Sequence, residues 1–92
     1  MGRVVKPNIV VSNIKVSYPL GINYGVALYN VGVAVEKLGI EENIVREADL
    51  SVDLDTKSYS VKFRIDYGND SETILNYESK DGEFMSFEDL YE

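Results

Sequence analysis

The chain has 92 residues, sixteen acidic side chains against nine basic ones, and no His, Cys or Trp. That length fits one small domain, near the size at which a single hydrophobic core suffices. The missing residue types exclude zinc fingers, thiolate nucleophiles, haem and iron–sulfur ligation, disulfide-stapled scaffolds and any Ser-His-Asp triad.

Residues 1–35 carry Arg3, Lys6 and Lys15 and no acid. Val4-Val5, followed at once by Lys6-Pro7, is too short for the apolar stretch of a secretory signal, so a cytoplasmic protein is expected. Residues 8–18 read as a β-branched strand with Ile14, Val16 and Tyr18 on one face, ended by Pro19, which cannot continue a central ladder. Residues 16–35 are uncharged over a length that could span a bilayer. Ser17, Pro19, Asn23, Asn30, three glycines and three tyrosines in that stretch argue against insertion.

Residues 20–38 hold two patterns. As a helix, Leu20, Tyr24, Ala27, Leu28, Val31, Ala34, Val35 and Leu38 form one stripe. As a strand, Ile22, Tyr24, Val26 and Leu28 alternate with Asn23, Gly25, Ala27 and Tyr29. The helix is preferred because the stripe persists to a well-signalled end, where Glu36-Lys37-Leu38 meets Gly39 and then Ile40. Such a helix has a second apolar face of Ile22, Val26, Tyr29 and Val33, with Gly21, Gly25 and Gly32 as a seam between the two. A helix apolar on both sides must be covered on both. The protein's own sheet is one cover. The other is either a second copy of the chain, making a homodimer, or the C-terminal segment folded back; self-association is the reading preferred here.

Residues 41–47 are a linker or the start of a strand. Leu50, Val52 and Leu54, then Tyr59, Val61, Phe63, Ile65 and Tyr67, alternate with polar residues on either side of the turn 55–58. This pattern predicts an antiparallel hairpin with one wet face, with Asp53 opposite Lys62 or Arg64. A turn at 67–71, a short strand at 73–78 and a turn at 80–82 follow.

Charge divides the chain. Residues 1–69 hold eight basic and eight acidic side chains, whereas 70–92 hold Asp70, Glu72, Glu78, Asp81, Glu83, Glu88, Asp89 and Glu92 against Lys80 alone. The whole net charge of −7 therefore lies in an acidic segment, 70–92, attached to a balanced core, 1–69. Without clustered Lys and Arg, direct nucleic-acid binding is not expected, and a protein partner with a basic surface is. At the end of the segment Ser86 and Asp89 have capping-box spacing. Phe84, Phe87, Leu90 and Tyr91 then share a face surrounded by Glu83, Glu88 and Asp89, the pattern of a short segment docking in a partner's groove. Packing of the same aromatics on the protein's own sheet is the competing reading.

Oxygen donors at Asp53, Asp55 and Thr56, and at Asp66, Asn69, Asp70 and Glu72, lack the spacing of a calcium loop, so neither a metal nor a cofactor is expected. Glu47 and Asp49 come nearest to a carboxylate pair, but nothing in the sequence sets them in apolar surroundings, and no catalytic residue is assigned. The fold class expected is α+β: strand, long helix, antiparallel hairpin, short strand or turn, and acidic tail, with an all-β sandwich as the alternative. The function expected is that of a non-catalytic protein–protein interaction or assembly module. A nucleic-acid-mimicking inhibitor and an accessory subunit of an enzyme are the alternatives.

Overall fold

A computed structural model describes residues 14–68 and 71–91 of the chain. The elements are β1 (Lys15–Ser17), α1 (Tyr24–Leu38), a 3-10 turn (Glu42–Ile44), β2 (Val45–Asp53), β3 (Ser58–Asp66), β4 (Glu72–Glu78) and α2 (Phe87–Leu90). The sheet runs β1-β2-β3-β4 in space. β1 lies parallel to β2 because α1 returns the chain to the starting end of the sheet, and the other two pairings are antiparallel. This is the expected α+β architecture, and the helix over residues 24–38 excludes the sandwich.

Of the strand read at 8–18, β1 is the part within the described residues; residues 8–13 lie outside them. The helix starts four residues later than its apolar stripe suggested. Gly21 sits at φ +90° in a turn closed by the Ile22 N–H donating to the Pro19 carbonyl at 3.3 Å. Asn23 then caps α1, its Oδ1 accepting from the backbone N–H of Gly25 at 2.7 Å and of Val26 at 3.3 Å. Leu20 is thereby thrown off the stripe and stands fully exposed. The other end is as read: Gly39 adopts φ +68° and donates to Glu36, while the Ile40 N–H reaches the Val35 carbonyl at 3.4 Å.

The core lies between α1 and one face of the sheet. Tyr59, Val61, Phe63 and Ile65 of β3 alternate inward beneath Ala27, Val31, Ala34 and Val35. On β2 a bulge between Val45 and Glu47 shifts the phase, so that Val45 and Ala48 both point in despite their odd spacing. The outer face is polar, with Glu47 opposite Arg64 and Asp49 opposite Lys62. Asp53 pairs in register with Ser58, not with Lys62 or Arg64 as expected. Its carboxylate is taken by the turn, accepting from the N–H of Asp55 at 3.0 Å and of Thr56 at 3.4 Å. Leu54 and Tyr67, predicted to face inward, fall beyond the strand ends and are exposed.

Candidate functional site

The C-terminal segment builds the most distinctive surface of the molecule. After β4, Ser79 extends the ladder by donating its N–H to the Tyr59 carbonyl. The chain then turns at Gly82 and runs along the start of β3. The Gly82 N–H donates to Thr56 at 3.0 Å and the Phe84 N–H to Lys57 at 2.9 Å. Next it meets a side chain from the middle of α1. Asn30 is buried, and its amide forms a two-way pair with the backbone of Met85, Nδ2 donating to the carbonyl at 2.9 Å and Oδ1 accepting from the N–H at 3.0 Å. Nδ2 also donates to the Val26 carbonyl at 2.8 Å, so the side chain leaves no polar atom orphaned.

The predicted capping box then starts α2. Ser86 Oγ accepts from the Asp89 N–H, and Asp89 Oδ2 accepts from both the N–H and the hydroxyl of Ser86 at 2.9 Å. The same carboxylate oxygen lies 2.8 Å from Lys57 Nζ. That ammonium, with the two Ser86 donors, holds the Asp89 carboxyl well below its ordinary value of 3.8, at about 2. Glu83 forms the second tie, accepting from the Tyr77 hydroxyl at 3.1 Å and lying 3.5 Å from Lys37 Nζ on α1. Partial desolvation pushes the Glu83 carboxyl up, but the Tyr77, Lys80 and Lys37 donors outweigh it and bring it down.

This arrangement divides the residues expected to dock together. Phe84 and Leu90 are each 1% exposed, inside the protein's own core. Their burial has a simple cause: an apolar helix face lay open beside them, and their burial covers it at roughly 25 cal/mol per Å². Phe87 at 47% and Tyr91 at 45% remain outside, their ring centroids 4.6 Å apart. Of the acids, Glu83 and Asp89 serve internal ties, while Glu88 has no cationic partner among the described residues.

The expected self-association face is divided in the same way. Val26 is 2% exposed and belongs to the core. Ile22 lines a groove described next, and Tyr29 and Val33 are half-buried beside Met85 and Glu83. Residues 83–91 thus cross the helix face where a second copy was expected.

Between the first turn of α1, Leu54 of the hairpin turn and Phe87 and Glu88 of α2 lies an open groove of about 480 Å³, floored by Val26 and Phe84. Tyr18 and Tyr24 are 5.8 Å apart by ring centroid, and the Tyr91 hydroxyl reaches to within 3.1 Å of where a β-carbon on Gly25 would stand. Most of the apolar side chains around this end of the molecule are exposed, including Leu20 and Leu54. The groove has apolar walls, a carboxylate at Glu88 and the acidic hairpin turn next to Leu54.

Glu47 and Asp49 stand on the opposite, polar face of the sheet, where Arg64 approaches Glu47 at 3.4 Å and Lys62 stands opposite Asp49. They are part of a charge-compensated surface, not an apolar site. Among the described residues no three acidic side chains converge as a cation site would require. No helix among those residues is long and apolar enough to cross a membrane. Sequence reasoning passed over two residues that shape the site, Asn30 and Leu54. Asn30 left a signal, as an amide within an apolar stripe; Leu54 left none, because its alternation with Leu50 and Val52 pointed inward. Comparison with protein-family models, with curated proteins and with solved structures found no match to this chain.

Proposed function

We propose that this protein is a non-catalytic interaction module whose groove at the first turn of α1 receives a basic, apolar segment of a partner protein. The observation that carries this reading is the unequal treatment of the four tail anchors. Two are buried in the core; of the two left exposed, Phe87 lines an apolar groove and Tyr91 packs against its ring at 4.6 Å. Exposed aromatics held rigidly beside a pocket are the usual centre of binding energy in protein interfaces. Glu88 and the unbalanced negative charge of residues 70–92 supply long-range attraction for Lys and Arg, which speeds encounter and is screened by salt. The acidic segment acts here as a wall of the docking site and not as a free peptide.

A nucleic-acid mimic needs carboxylates free to imitate phosphates. Glu83 and Asp89 are neutralised by Lys37 and Lys57, which favours protein docking over mimicry. An accessory subunit is one setting in which such a module works, with the enzyme as its basic partner.

The test is affinity capture from extracts of the source cell at low and high salt, with wild type and Phe87→Asp. Wild type is expected to retain a basic protein that salt releases, and Phe87→Asp to lose it while melting at the wild-type temperature. If the variant retains the same proteins, the groove is not the docking site.

A further inference from the structure

The sheet offers a second surface, distinct from the groove. β4 is the last strand in the sheet order, and among the described residues nothing pairs with its outer side. Its inward residues are incompletely covered. Thr73, Leu75 and Tyr77 are half-buried, whereas their register partners on β3, Ile65, Phe63 and Val61, are fully buried. A single helix covers the middle of the sheet and leaves this margin open. An added strand would complete the cover.

Charge selects the occupant. Glu72 and Glu78 stand at the two ends of β4, both exposed. A second copy pairing antiparallel about Leu75 would set Glu72 against Glu78 twice, and like charges directly opposite one another destabilise a ladder. A strand with Lys or Arg at both ends meets the same residues favourably.

We infer that the free edge of β4 accepts an extended segment of a basic partner protein as a fifth, antiparallel strand. Its alternate apolar side chains lie beside Thr73, Leu75 and Tyr77, and its terminal cations lie opposite Glu72 and Glu78. Main-chain hydrogen bonds give such a complex its affinity, and the alternating side chains give it register.

The probe is a synthetic peptide, acetyl-Lys-Val-Thr-Leu-Thr-Val-Lys-amide, titrated against the full chain, with two derivatives N-methylated at alternate amides. Only one of the two sets can face β4. The parent is expected to bind, one derivative to lose affinity at least about tenfold, and the other to retain it, as loss of ladder hydrogen bonds requires. Glu72→Lys with Glu78→Lys should weaken the parent about tenfold, and Phe87→Asp should leave it unchanged. Absence of binding overturns the inference, as does equal binding by both derivatives. Loss through Phe87→Asp but not through the glutamate pair places the peptide in the groove and overturns it too. Light scattering that shows a dimer displaced by the peptide would give the edge to a second copy and overturn it likewise.

Discussion

Asn30 is the residue on which the C-terminal segment turns. Its buried amide makes three hydrogen bonds, two of them to a backbone position 55 residues away. Replacement by leucine of similar size leaves the N–H and carbonyl of Met85 without those partners. An expected loss of about 2–3 kcal/mol follows from the cost of stranding buried polar groups, and a urea melt measures it. The amide within an apolar helix signals a buried polar group, but not its partner, because that partner is distant and backbone carries no sequence signature. Asn23 was more legible: an Asn four residues after Pro19, directly before the helical run, is a cap signal that the longer apolar stripe obscured. Asp89 ties the same segment through charge. Its folded value lies below the unfolded one, so its stabilisation is whole above the ordinary value of 3.8 and is lost as pH falls toward about 2. An acid titration followed by tyrosine near-UV circular dichroism should show the segment loosening over that interval, and Asp89→Asn should remove the step.

Elements were read with uneven success, and the reasons are physical. Strand periodicity is strict, so Tyr59, Val61, Phe63 and Ile65 of β3 emerged correctly as inward residues, while Tyr67 lies past its end. β2 ended early because Asp53 and the turn residues satisfy one another locally, which leaves Leu54 outside. The helix end at Gly39 was readable because φ +68° has a residue-level cause. Gly39→Ala should therefore cost about 1 kcal/mol. Asn23→Ala should cost about the same through the lost cap, whereas Leu20→Ala should leave the melting temperature unchanged, since that side chain touches nothing it could lose. The tail is the element where sequence left two readings open. One apolar face could serve the protein's own core or a partner, and three-dimensional placement buries Phe84 and Leu90 while leaving Phe87 and Tyr91 exposed. Phe84→Ala is accordingly expected to cost about 3–5 kcal/mol, read by the same melts, and removal of residues 79–92 to unfold most molecules.

At the scale of the whole molecule, charge and apolar surface point to the same end. The net charge of −7 resides in residues 70–92, and part of it is compensated by Lys37 and Lys57 to hold the segment down. Glu88 stays beside the groove and Glu78 on the free sheet edge, so the uncompensated charge flanks the two surfaces left apolar. On the proposed reading, a balanced core with acidic margins would attract basic partners without repelling itself into instability. On the proposed reading Phe84 and Phe87, three residues apart, do opposite work: one closes the core and the other meets a partner. The direct measurement is a paired one on each variant, melting temperature and retention of the captured basic protein, for Phe84→Ala and Phe87→Asp. Phe84→Ala is expected to melt far below wild type, and Phe87→Asp to melt with wild type but lose the partner. A Phe87→Asp variant that keeps the partner, or a Phe84→Ala variant as stable as wild type, would contradict it.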